Sequence, residues 1–180
     1  FLPHPPAPPN SVRLPDDLCP EGMHMEDLVT WVYQDMPNTT EAATLYVYYA
    51  GRAIIAPTNA DADAINKVMT QALRTPSRTY LSRDEVLDAT DAERDQFPED
   101  FLNGVTTCSL PPHILHLKLG SVVICLRNIA PDNGLCNGTR AVVVGMRQHL
   151  IQLKLLNRPA TASPVWVPRV LCDTKAEGDL

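Results

Sequence analysis

The sequence predicts an α/β fold in which a helical and βα portion is followed by a small antiparallel β-barrel. Three observations lead there. Residues 53–73 read as a short apolar strand, a tight polar loop and a capped helix, the βα unit of parallel-sheet proteins. From residue 113 the apolar pattern takes the period of strands, in short runs broken by Gly, Pro, Asn and Asp. Charge divides in the same place: residues 1–110 carry 7 Lys/Arg against 17 Asp/Glu, and residues 111–180 carry 8 against 4.

Taken in order, "FLPHPPAPPNSVRLPDDLCPEG" holds too much proline for more than an extended piece, because proline fixes φ and removes a donor. "MEDLVTWVYQDM" spaces Leu28, Val29, Val32, Tyr33 and Met36 along one helical face, with acids in its first turn. "PNTTEAATLYVYYAG" fits helix or strand equally. "RAIIAP" reads as an apolar strand. In "PTNADADAINKVMTQAL", Ile65, Val68, Met69, Ala72 and Leu73 line one face, and Thr58 with Asp61 has capping-box spacing. Residues 82–100 are acidic and poor in apolar side chains, which predicts a solvated loop with at most a helical turn. Then come "HILHLKL", "SVVICLRN", "TRAVVVGM", "HLIQLKLL" and "PVWVPRV", five short runs expected to curl into a barrel with few open edges. The chain therefore divides into a Pro-rich lead-in (1–24), a helical and βα part with an acidic loop (25–110), a barrel-like region (111–172) and a tail (173–180).

Composition narrows the function classes. The chain has 180 residues, room for one ordinary domain or two small ones. No apolar run approaches the ~20 residues that span a bilayer, and no signal peptide is visible. A start at Phe rather than Met suggests a processed product or an excised fragment. The five cysteines (Cys19, Cys108, Cys125, Cys136, Cys172) are odd in number and form no C-x-x-C pair, which reads as reduced thiols in an intracellular protein. The sequons at Asn38 and Asn137 are then incidental.

No nucleotide-binding glycine loop, nucleophile elbow or H-E-x-x-H occurs. Asp84-Glu85 follows a polar "LSR", not the apolar strand that sets an acidic pair beside Mg²⁺, and reads as surface charge. Cys108, His113 and His116 raise zinc, but on a strand the two histidines fall on opposite faces. No catalytic and no metal-binding residue is assigned.

"LRNIAPDNGLCNGTRAVVV" is more informative. Asn133-Gly134 and Asn137-Gly138 both suit positive φ, so the connection turns tightly twice. Arg127 and Arg140 flank it, Lys118, Arg147 and Lys154 belong to nearby strands, and between 111 and 170 the only acid is Asp132. A compact loop with exposed amides and flanking cations suits a phosphate backbone. An ordinary hairpin loop with solvated arginines fits the same residues.

"RAIIAPTNADADAIN", "RTYLSRDEV", "FPEDFLNGV", "LPPHILHLKLGSVVICLRNIAPDNGLCNGTRAVVV" and "VWVPRV" occur in that order, and over about residues 11–170 the chain resembles the C-terminal part of the helicases of Helitron transposons and of the petite-integration-frequency family. The resemblance implies an ATP-dependent superfamily 1 helicase moving 5′ to 3′ on single-stranded DNA, with roles in DNA repair, recombination and telomere maintenance. It implies a partial RecA-like portion, the P-loop-NTPase-like second helicase domain, carrying a small antiparallel barrel. On that mapping Thr58, Asn59 and Lys67 lie near the phosphate backbone, with Arg127, Asn128 and Arg140 as supporting contacts. ATP and Mg²⁺ serve the parent enzyme and are not bound by this piece, whose partners are single-stranded DNA and the remainder of the helicase chain. The location implied is nuclear, or mitochondrial. His116 and residues 41–50 depart from the family pattern, as in a decayed transposon relic. A non-enzymatic small-barrel module that binds a protein partner is the alternative class.

Overall fold

A computed structural model of the chain describes residues 24–87, 90, 96–105 and 110–172. The Pro-rich lead-in up to residue 23, the 173–180 tail, the middle of the acidic loop, Cys19 and Cys108 lie outside the described residues. The elements are α1 (Met25–Val32), α2 (Ala42–Ala50), α3 (Asn59–Ala72), β1 (Ser77–Leu81), α4 (Glu99–Gly104), β2 (Ile114–Lys118), β3 (Val122–Ile124), β4 (Arg140–Met146), β5 (Leu150–Leu155) and β6 (Val165–Pro168).

All five runs after residue 113 become strands, but they do not close a barrel. β3, β4, β5 and β6 form one antiparallel sheet in that order, and β2 pairs instead with β1, Ser77 opposite Lys118 and Leu81 opposite Ile114. The polar "SRTYL" of β1 carries no apolar alternation, so its role as a partner was not visible in the pattern. The chain leaves β2 through a corner at Gly120 (φ 86°), where the Gly120 N–H donates to Val143 O at 2.7 Å and the Val143 N–H to Ser121 O at 2.9 Å. β3 then runs for only three residues, too short to reach around to β6, and the sheet stays open at both edges.

The core follows from alternation along β4. Ala141 and Val143 face inward with Leu117, Cys125, Leu135, Leu153 and Leu155, beneath the β1–β2 pair, while Val142 faces outward against Leu45 and Tyr49 of α2. A strand covered on both faces explains the unbroken "AVVV", since neither face can be polar. Two bonds lace the sheets together: the Tyr80 hydroxyl donates to Arg147 O at 2.8 Å, and Arg169 Nη1 to Leu81 O at 2.7 Å.

The ambiguous segment 42–50 is a helix. Leu45 and Tyr49, four apart, share the face that meets Val142, and that burial overrides the strand preference of its Tyr and Val residues. Around α3 half of the capping box forms: Thr58 Oγ1 accepts from the Asp61 N–H at 3.2 Å, while the Asp61 carboxylate accepts from the Thr58 hydroxyl at 2.6 Å in place of the Thr58 backbone N–H. Its expected apolar face is only half covered, with Ile65, Val68 and Met69 half-buried and no residue of the helix fully so.

"RAIIAP" is corrected: residues 52–56 form no strand. A strand needs a partner, and among the described residues no strand pairs with this segment. Ile55 is 95% exposed, and the Arg52 carbonyl is taken by Arg140. The sheets are wholly antiparallel, and the RecA-like portion implied by the resemblance is not shown by these elements.

Candidate nucleic-acid interface

β3 leads into, and β4 out of, the loop at 125–139. Its neck is closed by the Cys125 N–H donating to Thr139 O at 2.9 Å and the Gly138 N–H to Cys125 O at 2.8 Å. Further out, Ile129 and Ala130 both donate to Leu135 O, and Leu135 donates back to Ala130 O at 3.1 Å. A 3₁₀ turn at Pro131–Asn133 crosses the tip, and Leu135, 2% exposed, plugs the loop into the core. Gly134 (φ 76°) and Gly138 (φ 80°) take the left-handed conformation that the Asn-Gly pairs announce.

The expectation of exposed amides is corrected. The N–H groups of residues 125, 129, 130, 133–135 and 137–139 are all engaged within the loop, Asn137 donating to Asn128 Oδ1 at 2.9 Å. Backbone donors so engaged do not form an anion cradle, which leaves phosphate contact to side chains.

The six sequence-derived residues fall into two sets. Arg127 and Asn128 lie on the first arm of the loop, Arg127 half-buried, with Asn128 clamping the second arm. Arg140 opens β4 and reaches back to α2, where Nη2 donates to Arg52 O at 2.6 Å and more weakly to Tyr49 O at 3.4 Å. It is a C-terminal cap of α2, set against the negative end of that helix. Beside it the Tyr33 phenol is pushed up by burial, an effect the Arg140 guanidinium and the Ile54 amide partly offset. Thr58, Asn59 and Lys67 stand apart on α3, all exposed, with the Thr58 hydroxyl occupied by Asp61.

Other cations of the β region behave like Arg140. Lys118 Nζ donates to Leu73 O at 2.8 Å, capping α3, and Lys154, 3% exposed, gives its ammonium to the carbonyls of Ala160 and Ala162. Arg158, which sequence reasoning passed over, donates from Nη2 to Asp132 O at 3.0 Å, and a Cβ on Gly134 would lie 2.8 Å from its Nε. Its partner is 26 residues away, so only the charge itself was a signal. These contacts join cations to neutral carbonyls, which orient the charge without cancelling it. The region therefore keeps its positive field.

Asp84 is more than surface charge. The Ser82 hydroxyl lies 2.6 Å from Asp84 Oδ2 and 2.8 Å from His113 Nδ1, with His113 and Asp84 3.6 Å apart. A nucleophilic triad sets the imidazole between hydroxyl and carboxylate. Here the hydroxyl lies between, and the cluster ties the end of β1 to the start of β2. His116 pairs with Thr79 across the strands at 3.0 Å.

Residues 100–146, about a quarter of the chain, match the family model for DNA helicase Pif1, 2B domain. The match begins in α4 and takes in β2, the corner, β3, the loop and β4. Over this stretch the chain is similar to a helicase domain, and the matched domain is a small β domain, as the sheets here are. Among curated proteins no match was found. No helix among the described residues is long and apolar enough to cross a membrane.

Proposed function

We propose that this chain is part of an ATP-dependent, 5′-to-3′ DNA helicase and that its β region guides single-stranded DNA. The observation that carries the reading is the match of residues 100–146 to the 2B domain, because it takes in the loop that Arg127 and Arg140 flank and leads directly into the acid-free run with Arg147, Lys154, Arg158 and Arg169. Arg127, Asn128 and Arg140 supply the contacts at the loop. A guanidinium has five donors, and the α2 carbonyls engage only Nη2 of Arg140, so its cap and a phosphate contact are compatible. Thr58, Asn59 and Lys67 add a second contact along the exposed face of α3. ATP and Mg²⁺ act in the remainder of the helicase, nuclear or mitochondrial, and this chain alone hydrolyses no ATP.

Anisotropy of a labelled oligo-dT strand, titrated with the chain at several salt concentrations, tests the reading. Phosphate contacts give a log–log slope of roughly −0.7 each, and Arg127→Gln or Lys67→Gln removes about one contact from it. Absence of binding at low salt would overturn the proposal.

A further inference from the structure

At the far end of β4 from the loop lies a second cationic feature with a different chemistry. Gly145, Gln152 and Trp166 form one cross-strand row on β4, β5 and β6. Their neighbours Met146, Ile151, Val165 and Val167 pack into the core, so the row faces outward. Gly145 has no side chain, and the space that leaves is taken first by the Gln152 side chain, Oε1 2.8 Å and Cβ 3.0 Å from where a Cβ would be, with the indole Cη2 beside it at 3.5 Å. The Arg147 guanidinium lies over the same ring, 4.8 Å from its centroid. Both ends of that arginine's backbone are fixed, the N–H donating to Leu150 O at 2.8 Å and the carbonyl accepting from Tyr80 at 2.8 Å.

Trp166 is nonetheless 39% exposed, on the edge strand of the sheet. From Asn133 to Cys172 the chain holds Arg140, Arg147, Lys154, Arg158 and Arg169 and no acid at all. Asp84, beyond the neighbouring β1, is held by Ser82 and His113. Trp31, more exposed at 65%, lies in a helix with acids in its first turn, and among the described residues the tryptophan with a cation over its ring is Trp166.

We infer that Trp166 and Arg147 form a stacking site for one nucleotide of a single strand, the base against the indole and the phosphate on the guanidinium. The inference rests on the DNA-guiding reading above and adds to it a contact of another kind. Every base has a π-face, so such a platform accepts any sequence, and its stacking component resists salt where the loop's phosphate contacts do not.

The chain has two tryptophans, so Trp31→Phe leaves Trp166 as the sole indole reporter. Titration of that variant with oligo-dT produces saturable quenching of its fluorescence. By anisotropy, Trp166→Ala weakens binding about 10-fold or more, Trp166→Phe keeps most of it, and Arg147→Gln weakens it as well. If circular dichroism shows Trp166→Ala unfolded, the quenching and Arg147→Gln decide the matter. Parental affinity in the folded variants, or no quenching at saturation, overturns the stacking site while the helicase reading stands. A parent chain that binds no oligo-dT overturns both. Quenching by a proline-rich peptide and not by oligo-dT assigns the surface to a protein ligand and overturns the site.

Discussion

The cations of the β region show how one side chain serves the fold while its charge remains available outside it. Arg140 and Lys118 each close the C-terminal end of a helix that arrives from the other half of the chain. Arg140→Gln removes a charge-assisted bond to the Arg52 carbonyl and should cost about 2 kcal/mol in urea unfolding. An unchanged midpoint would mean that α2 is held by Leu45 and Tyr49 alone. At Gly134 two constraints coincide, a φ of 76° and the Arg158 guanidinium against the missing Cβ. Gly134→Ala should destabilise by about 1 kcal/mol, chiefly through the backbone, since the long Arg158 side chain can move aside. The Cys125 thiol is buried and pushed up, first by burial and then by neighbouring Cys136, whereas Cys172 is exposed. Peptide-level alkylation should mark Cys172 at once and Cys125 only after unfolding, and equal rates would show the neck of the loop open.

At the scale of elements, the sequence was most legible where local rules decide. Thr58–Asp61 capping, the left-handed glycines and all five late strands follow from spacing and turn chemistry. What failed was pairing. "RAIIAP" has the composition of a strand, but composition does not supply a neighbour, and without one Ile55 faces solvent. "SRTYL" has the opposite history, a polar stretch made a strand by β2. Segment 42–50 became a helix because Val142, nearly a hundred residues later, offers it an apolar surface. At the site, Arg127, Asn128 and Arg140 were visible as charges and amides around a turn, but the partners of Asn128 and Arg140 were not, since hydrogen bonds across 9 to 91 residues leave no local pattern. β4 is the element on which both halves depend. Val143→Ala removes two methyl groups from the inner core and Val142→Ala two from beneath α2, each about 2 kcal/mol. The first should loosen both sheets equally in hydrogen exchange, and the second should release α2 first. The opposite ranking would reverse the assignment of the faces.

For the molecule as a whole, the tyrosine cluster on α1 and α2 sets an alkaline limit. Burial, with the Tyr48 and Tyr33 hydroxyls adding to it, pushes the Tyr49 phenol up to about 12 from the usual 10. Below pH 10 the folded and unfolded chains both hold this proton. Above it the unfolded chain loses the proton first, so stability falls as pH rises from 10 through about 12. Tyr49→Phe should flatten that fall in a circular-dichroism titration, and an unaltered fall would place the sensitivity elsewhere.

The match of residues 100–146, with the basic charge of the second half beside it, leads to the DNA-guiding reading, and cross-linking tests it most directly. A bromodeoxyuridine oligonucleotide irradiated with the full chain, then digested and mapped by mass spectrometry, should give adducts within residues 126–169, at the loop and around Trp166, that fade with added oligo-dT. Adducts confined to residues before 105, or none that oligo-dT displaces, would contradict a nucleic-acid surface on these sheets.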